Sequence, residues 1–584
     1  MMEPFETIDI QELPLSVPMI RRKVEDFLGS NGLRLGEVDL YLAVLSENGA
    51  ILAGGGLRRD ILKGLAVSAE ARSLGLSVPL ISRLISVASE RGYTNVKVFT
   101  KPENRSVFES LGFKLLAEAP KAILLENGRG LADYCAYLRA HRASGVIIMN
   151  ANPFTLGHRY LVEQASLSFR APEGRRNLTI IPVKEDASRF PYTERLAMIR
   201  TGCGDLADVV EGSDYQISAA TFPTYFLKDL SDAAETQMRL DIDLFGRHIA
   251  PALGATVRFV GTEPTDPLTA RYNALMKELL PAYGVEVVEI PRQTSSAQPI
   301  MATTVRALLD AGRFKAASAL TPESAWPYLL ADLADRALRM ELDTPMKPGL
   351  VGPDSVGAHK DMDYDIMRKG IAAIRPFFPR MAMAGTPEEL RQLGIDAEKA
   401  MLAATGGVNT HRGAIFALGL ALYRHPIAET AERLDNGSSK HREAGIRGAM
   451  QMAKEGYKEL FEDWLPYYRS LQISPLASLG RNDKMREICT LLRIMATLDD
   501  TCVIHRVGYA RAQEIKADAG ALLEEIPGQA RNDGKGQARN DEAVMADLIG
   551  HLEEMCDRYA AEGISPGGAA DMLALTIFMD SILN

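Results

Sequence analysis

The pattern of apolar residues changes along this chain, and that change constrains the fold more than any other feature. Up to about residue 325, short apolar runs typical of strands alternate with stretches of helical periodicity. From about residue 326 onward, strand signals fade and apolar residues recur every three or four positions. We therefore expect a region that mixes helices with sheets, followed by an all-α domain.

Length and composition agree with a multidomain protein. The chain has 584 residues, more than one hydrophobic core usually supports, and 46% of them are hydrophobic. A net charge of −10 gives no general attraction to nucleic acid or to an anionic membrane surface. No apolar run is long enough to cross a bilayer, the N-terminus lacks the apolar core of a signal peptide, and the five cysteines are scattered. We expect a cytoplasmic protein that binds neither nucleic acid nor membranes.

Residues 1–127 alternate strands with helices. Two apolar runs flank the turn dipeptide Asn48-Gly49, as in a hairpin. Farther on, Arg72, Gly75 and Ser77 precede a helix and could present backbone N–H groups to a pyrophosphate. Together with the segment NRSVFESLGF, this region resembles the GNAT acetyltransferase fold, although Ser77 stands where a small Gly or Ala is usual. The resemblance implies an α+β domain; in that family the helix-start loop holds the coenzyme A pyrophosphate. We expect a GNAT-like module here that no longer acetylates a substrate, and we assign no catalytic residue to it.

Residues 128–325 contain a strand, a tight turn and a helix in an order that suits phosphate binding. Val146 to Met149 form a continuous apolar run, as expected for a strand buried on both faces of a parallel sheet. After the turn, His158 lies near a helix start, where backbone dipoles and an imidazole can converge on phosphate oxygens. Gly157 allows the backbone to approach a ligand closely. This pattern favours a Rossmann-like α/β domain.

The block resembles the HxGH nucleotidyltransferase superfamily, with Thr155 in place of the first histidine. IMATTVR resembles the ISxTxxR signature of that superfamily, with Met301 in the serine position. Over about residues 1–325 the chain also resembles the ligases that acetylate the prosthetic-group thiol of citrate lyase. The resemblance implies that ATP and acetate form acetyl adenylate and pyrophosphate, and that the acetyl group moves to the thiol on the lyase acyl-carrier subunit. The expected catalytic residue is His158, and the expected ATP-binding residues are Thr155, Gly157, Lys184, Thr303 and Arg306.

Dense polar clusters interrupt the predicted helices of residues 326–584. Acidic residues crowd the segment GAHKDMDYD and the pair Asp499-Asp500. Carboxylate oxygens of this kind suit magnesium that is bound together with a triphosphate. The positive or hydrogen-bonding side of such a site would come from Lys347, His359, Lys360, His411, Arg412, His505 and Arg506. Gly349, Gly406 and Gly407 would let the backbone approach a ligand closely.

These clusters resemble the triphosphoribosyl-dephospho-coenzyme A synthase family through TPMKPGLV, GAHKDMD, GGVNTHRGAIF, DDTCVIHR and GISPGGAADMLALT. The resemblance implies that the ribose 2′-hydroxyl of 3′-dephospho-CoA attacks C1 of the ATP ribose and expels adenine. That reaction needs magnesium on the triphosphate, a base near the hydroxyl and a proton donor for adenine. The predicted metal ligands are Asp361, Asp363, Asp499 and Asp500, and Asp361 also counts as catalytic. His359 and His411 are both candidates for the acid or base, and the sequence does not choose between them.

The two resemblances belong to one pathway, because one activity makes a cofactor precursor and the other charges the mature thiol. We therefore predict a bifunctional citrate lyase maturation enzyme with domains at residues 1–127, 128–325 and 326–584. Its substrates would be ATP, acetate and 3′-dephospho-CoA. The alternative is that only the C-terminal synthase is active, and that the N-terminal half is a docking module for the acyl-carrier subunit.

Overall fold

The computed structural model describes residues 8–168, 177–184, 188–216, 230–295, 298–435, 448–471, 484–525 and 541–584. The chain divides into two compact units, Met1–Ile300 and Met301–Asn584. In the described residues, the first unit combines sheets with helices and the second contains helices alone. The predicted change from a mixed to an all-α architecture is confirmed. The boundaries expected after residues 127 and 325 stay predictions, because compactness alone does not define a folding domain.

A seven-stranded, mainly antiparallel sheet opens the first unit. Its strands are β1 (Ile10–Glu12), β2 (Leu40–Leu45), β3 (Ile51–Arg58), β4 (Ile61–Val67), β5 (Val96–Thr100), β6 (Lys114–Ala119) and β7 (Ala122–Asn127), and its helices are α1 (Pro18–Ser30), α2 (Ser77–Glu90) and α3 (Arg105–Ser110). The strand order is β1-β2-β3-β4-β5-β7-β6, in which only the pair β4 and β5 is parallel. Helix α2 buries Leu80, Leu84 and Ala88 against the sheet because they share one helical face. The predicted hairpin across Asn48-Gly49 is confirmed as β2 and β3.

A five-stranded parallel sheet follows. Its strands are β8 (Gly145–Met149), β9 (Leu178–Pro182), β10 (Asp208–Val209), β11 (Val257–Gly261) and β12 (Glu286–Ile290), in the order β10-β9-β8-β11-β12. The helices are α4 (Gly130–Leu138), α5 (Leu156–Leu167), α6 (Tyr192–Cys203), α7 (Leu230–Leu244), α8 (Ala250–Leu253) and α9 (Pro267–Leu279), and a small ribbon pairs β13 (Thr294–Ser295) with β14 (Gln298–Pro299). The residues of β8 are almost all buried, as their continuous apolar character predicts. This is the predicted Rossmann-like arrangement.

The two sheets of the first unit share a hydrophobic core. Leu116 and Leu124 from the first sheet belong to the same buried cluster as Val146 and Ile181 from the second. A polar contact supports this packing, since the Glu118 backbone N–H donates to a carboxylate of α7 at 2.8 Å. The seven-stranded sheet therefore packs on the five-stranded sheet through a continuous apolar core.

The second unit is built of helices that pack around a buried C-terminal helix. The helices of this unit are α10 (Ala302–Asp310), α11 (Phe314–Ser318), α12 (Trp326–Leu342), α13 (Tyr364–Ile374), α14 (Phe378–Met383), α15 (Pro387–Ala404), α16 (Arg412–Leu422), α17 (Ile427–Leu434), α18 (Ala449–Lys454), α19 (Leu465–Ser470), α20 (Met485–Thr497), α21 (Thr501–Val507), α22 (Tyr509–Glu524), α23 (Asp541–Glu562) and α24 (Gly567–Leu583). Helix α24 is buried along most of its length and packs against α12, α16 and α20. Within the described ranges, no helix combines the length and the apolar character needed to span a bilayer.

Candidate active sites

The carboxyl ends of the parallel strands form the first candidate site. Strands β9 and β11 lie on opposite sides of β8, so the chain leaves β8 where the strand order reverses. Open parallel sheets bind ligands at such a point, because the neighbouring loops diverge there and leave a crevice. Residues 150–155 leave β8 at this point and lead into α5. The loop expected to bind phosphates thus lies where this architecture places ligands.

Thr155 and His158 form a reciprocal cap at the start of α5. The Thr155 hydroxyl accepts a hydrogen bond from the His158 backbone N–H at 3.3 Å. In return, the Thr155 backbone N–H donates to His158 Nδ1 at 3.1 Å, and the Thr155 hydroxyl lies 2.8 Å from the same nitrogen. Because Nδ1 accepts these bonds, the neutral imidazole carries its proton on Nε2. His158 Nε2 is therefore a hydrogen-bond donor for a ligand oxygen.

The surroundings of His158 keep its ring uncharged. Burial, followed by the charge of Arg292, lowers the pKa of His158 to about 4. Arg292 follows β12, donates from Nε to the Thr262 carbonyl at 2.6 Å and pairs with Glu263. The His158 ring also stacks on Phe154, with ring centroids 5.7 Å apart. A neutral donor near a fixed guanidinium is suited to binding an anion without burying a second cation.

Gly157 lies where a side chain would meet the backbone of another segment. A Cβ at this position would lie 2.8 Å from the Ile300 carbonyl oxygen. We expect the Gly157→Ala substitution to lower the free energy of unfolding of the first unit by about 1–3 kcal/mol, because the contact forces a backbone shift. Differential scanning calorimetry would show this as a lower transition temperature.

The matched control for that substitution is Gly520→Ala in α22. A Cβ at Gly520 would have no atom within 4 Å. Alanine there should stabilise the helix by about 0.5–1 kcal/mol, since glycine is the poorer helix former. A Gly157→Ala protein that unfolds at the wild-type temperature would contradict the predicted collision.

Two basic residues lie near the end of β9. Lys184 is exposed and follows β9, with its Nζ 3.9 Å from Asp214 Oδ1. Arg195 in α6 is fully buried and donates from Nη1 to the Asn150 carbonyl at 2.9 Å and to the Val183 carbonyl at 2.8 Å. Arg195 thereby joins the chain after β8 to the chain after β9. We did not predict a role for Arg195 from the sequence. The available signal was a charged arginine among the apolar residues of PYTERLAMI.

Thr303 and Arg306 lie on α10, which belongs to the second compact unit. The predicted helix start is confirmed, since α10 begins at Ala302. Met301 is the N-cap residue and its side chain makes no capping hydrogen bond, whereas a serine there could accept one. The phosphate-binding roles of Thr303 and Arg306 stay predictions.

A cavity of about 480 Å³ in the second unit is the second candidate site. This volume falls in the range of roughly 300–1,000 Å³ typical of small-molecule sites. The polar and ionisable side chains that line it include Glu341, His359, Asp361, His411, Arg412, Cys502, His505, Arg506, Ser565 and Asp571. Clusters that are far apart in sequence therefore meet at one place.

His411 contributes a buried nitrogen to this cavity. The residue is 4% exposed, and its Nδ1 lies 2.8 Å from Thr410 Oγ1. Its Nε2 is buried and has no hydrogen-bond partner in the described structure. An unsatisfied buried polar atom costs about 1–3 kcal/mol, so such atoms are rare unless a ligand completes them.

Burial, followed by the charge of Lys347, lowers the pKa of His411 to about 3. In the unfolded chain a histidine titrates near about 6.5. As the pH falls below that value, the unfolded state binds a proton that the folded state does not bind, so His411 lowers the free energy of unfolding. Between pH 7 and pH 5 we expect this loss to be about 2 kcal/mol, and to be absent from a His411→Gln variant.

Urea unfolding of both proteins at the two pH values measures that difference. Other groups titrate in the same range, and subtraction of the variant from the wild type removes their common contribution. An identical pH dependence in the two proteins would show that His411 is not held neutral by the fold.

Several ionisable groups lie in the wall of the cavity or directly behind it. Lys347 Nζ donates to Glu341 Oε1 at 2.5 Å and to the Glu341 carbonyl at 2.7 Å, and both side chains are buried. Burial lowers the pKa of Lys347 despite its acidic partner. Burial, followed by the charges of Glu341 and Asp500, raises the pKa of Asp571 well above its ordinary value. We did not predict Glu341 or Asp571 as site residues from the sequence. For Asp571 the available signal was its position directly before the apolar run MLALTIF.

His359 reaches the same cavity from another loop. Its Nε2 lies 2.8 Å from Ser565 Oγ. Burial, followed by the charge of Arg506, lowers the pKa of His359. The neighbouring Lys360 is exposed and does not line the cavity. The structure thus places both candidate histidines at one cavity. His359 Nε2 lies within hydrogen-bond distance of Ser565 Oγ, whereas His411 Nε2 has no hydrogen-bond partner in the described structure.

The four predicted magnesium ligands lie in different surroundings. Asp361 is exposed and lines the cavity. Asp363 caps α13 by accepting a backbone N–H at 2.8 Å, and Asp499 pairs with a lysine of α22 at 2.8 Å. Asp500 is buried and accepts backbone N–H groups from α21 and α24. No three His, Cys, Asp or Glu side chains of the described residues form a metal-binding group.

The connection between α15 and α16 contains Gly406 and Gly407, and Arg412 is the first residue of α16. The two glycines have φ values of 68° and 92°, and the Gly407 N–H donates to the Leu402 carbonyl at 2.8 Å. Left-handed glycines with this bond are a common way to end a helix. The Arg412 side chain lines the cavity and pairs with Glu398.

Two family models match separate parts of this chain. A model described as the citrate lyase ligase C-terminal domain matches residues 144–329. A model described as ATP:dephospho-CoA triphosphoribosyl transferase matches residues 327–425 and 422–584. The two matches meet at residues 327–329, near the start of α12, so the first match includes α10 and α11 of the second unit.

Curated relatives divide in the same way. The citrate (pro-3S)-lyase ligases of Haemophilus influenzae and Klebsiella pneumoniae are 39% and 40% identical to the chain, over 56% and 53% of its length and 98% and 92% of theirs. The probable 2-(5''-triphosphoribosyl)-3'-dephosphocoenzyme-A synthase of Stutzerimonas stutzeri is 35% identical over 43% of this chain and 91% of its own. The chain therefore belongs to two enzyme families, the citrate lyase ligases in its N-terminal half and the triphosphoribosyl-dephospho-CoA synthases in its C-terminal half.

Proposed function

We propose that this chain matures citrate lyase through two ATP-consuming activities. The C-terminal half forms 2'-(5''-triphosphoribosyl)-3'-dephospho-CoA from ATP and 3′-dephospho-CoA and releases adenine. The N-terminal half acetylates the prosthetic-group thiol of the citrate lyase acyl-carrier subunit, using ATP and acetate by way of acetyl adenylate. Membership of both families supports the pair, since one activity makes the precursor of the group that the other charges. Consumption of ATP by both activities supports a cytoplasmic location.

The buried, unpartnered Nε2 of His411 is the observation that carries the synthase proposal. With Nδ1–H donating to the Thr410 hydroxyl, Nε2 can accept the proton of the attacking ribose hydroxyl. The negative charge of a bound triphosphate would raise the pKa of this imidazole from its low value toward neutrality. Asp571 lines the same cavity, and its pKa is raised by burial and by the charges of Glu341 and Asp500, which favours a role in proton donation to the leaving adenine.

Magnesium fits this cavity through Asp361. A magnesium ion bound with a triphosphate takes only one or two protein carboxylates, and the remaining ligands are phosphate oxygens and water. Of the four predicted ligands, Asp361 alone lines the cavity within the described residues. The metal would neutralise the triphosphate, while Arg412 and Arg506 supply further positive charge at the cavity wall.

The crevice at the end of β8 supports the ligase proposal. His158 Nε2–H and Lys184 would stabilise the charge that builds up on the ATP phosphates when acetate attacks. Thr155 holds His158 in the tautomer that donates from Nε2. Gly157 keeps the backbone of the first turn of α5 close to the neighbouring segment. The family match of this half favours a catalytic role over docking alone.

Two assays on the purified full-length chain test the proposal. Adenine release from ATP, measured by chromatography, should require both magnesium and 3′-dephospho-CoA. Pyrophosphate release should require acetate, and the acetyl group should appear as a thioester on the acyl-carrier subunit. A folded protein that releases no adenine would overturn the synthase proposal, and pyrophosphate release without acetate would overturn the ligase proposal.

A further inference from the structure

A second, apolar groove of about 370 Å³ lies beside the cavity of the second unit. Helices α14, α15 and α16 supply most of its wall in the described structure. The large apolar side chains that line it include Met381, Leu390, Ile395, Ile415, Phe416 and Leu420. We refer to this space as the apolar groove.

Two glycines in helix interiors keep the apolar groove open. Gly394 lies within α15 and Gly419 within α16, and both line the groove. A Cβ at Gly394 would lie 4.0 Å from its nearest neighbour, and one at Gly419 would lie 3.5 Å from Met381 Sδ. These are ordinary van der Waals distances, so close packing does not require glycine at either position. Glycine is a poor helix former, and its use here leaves space that alanine or a larger residue would fill.

Arg412 connects the apolar groove with the cavity, because its side chain lines both. Its guanidinium pairs with Glu398, which also lines the groove. A guanidinium has five N–H donors, so it can hold this carboxylate and a phosphate together. A ligand that extends from the cavity into the groove would therefore pass a cation at the junction.

The proposed synthase reaction brings two nucleotides together, and one of them has this shape. 3′-Dephospho-CoA carries an adenosine, a diphosphate and a long pantetheine arm with methyl and methylene groups. Its ribose must lie in the cavity near His411, so the arm must leave the cavity in some direction. We propose that the apolar groove binds the pantetheine arm of 3′-dephospho-CoA, with the diphosphate at Arg412. This inference rests on the proposed synthase function.

Calorimetric titration of the full-length protein with 4′-phosphopantetheine tests the groove directly, because this probe has the arm and one phosphate but no adenosine. We expect Gly394→Leu, which fills the groove, and Ile395→Asn, which makes it polar, each to weaken binding by about tenfold or more. ATP binding should be unchanged in both variants. Ile395 is 43% exposed, so Ile395→Asn decides the question if Gly394→Leu does not fold.

The matched control is Met383→Asn. Met383 is 51% exposed at the end of α14 and does not line the groove. Binding that is lost in the groove variants and kept in the control supports the proposal. No binding by the wild type, or equal binding by the groove variants, overturns it. Adenine release by the wild type is a separate measurement, so failure of the synthase function would be seen independently of failure of the groove.

Discussion

Alanine at position 411 is expected to slow adenine release by about 10²- to 10⁴-fold, the usual contribution of a positioned general base. His411 is the candidate because its Nε2 is buried in the cavity without a partner, whereas His359 Nε2 already lies 2.8 Å from Ser565 Oγ. The substitution removes the proton acceptor without changing the charged side chains that hold the triphosphate. The measurement is kcat for adenine release at saturating ATP and 3′-dephospho-CoA.

His425→Ala is the matched control for this variant. His425 is an exposed histidine of the same unit whose ring lies against that of Tyr423 in a tilted arrangement, with ring centroids 4.3 Å apart, and it does not line the cavity. Its removal should leave kcat unchanged. Added imidazole should restore part of the rate to the His411→Ala protein, because it can enter the space left by the side chain. A wild-type rate in the His411→Ala protein would instead assign proton transfer to another group, with His359 the next to test.

Alanine at position 158 is expected to slow acetate-dependent pyrophosphate release by about 10²- to 10³-fold. That is the typical effect of removing one preorganised donor from a site where negative charge develops. Thr155 fixes the His158 ring so that Nε2 carries the proton, and the low pKa of about 4 keeps the ring neutral. The loss should appear mainly in kcat, because the donor acts on charge that is greatest in the transition state.

His141→Gln is the corresponding control in the first unit. His141 precedes β8 and lies 2.7 Å from Asp208, the first residue of β10, so it marks the amino ends of the strands. Pyrophosphate release should be unaffected by its replacement. The His158→Ala protein should also release adenine at the wild-type rate. Equal loss of both activities would mean that the variant is misfolded or that the two sites are not independent.

Local sequence was sufficient for the strand, turn and helix around β8. A continuous apolar run, a turn and a helix start lie within residues 145–167, and hydrogen bonds within that stretch decide most of its geometry. Thr155 and His158 are only three residues apart, so a short-range cap fixes their relation. The position of this loop at the carboxyl edge of the parallel sheet could also be predicted, because a buried parallel strand places its following loop at one edge of a sheet.

The partners of that loop depend on the tertiary structure. Arg195 binds two carbonyl groups that belong to different strand ends. Burial lowers the pKa of His158, and the charge of Arg292, which lies beyond β12, lowers it further. Neither residue lies within the motif that identifies the site. Their roles arise only when parallel strands bring distant chain segments to the same edge.

The sequence alone determined the change from a mixed to an all-α architecture, the two families and the polar clusters that meet in the cavity. Which atoms of those clusters remain available was decided by packing. Asp500 and Asp363 both accept backbone N–H groups, while the buried His411 Nε2 is left without a partner in the described structure. Glu341 contributes to the raised pKa of Asp571 because folding brings the two side chains close together. No periodicity in the sequence encodes that distance. Composition and periodicity report which residues are buried, whereas pKa and hydrogen-bond availability depend on neighbours that only the folded chain brings together.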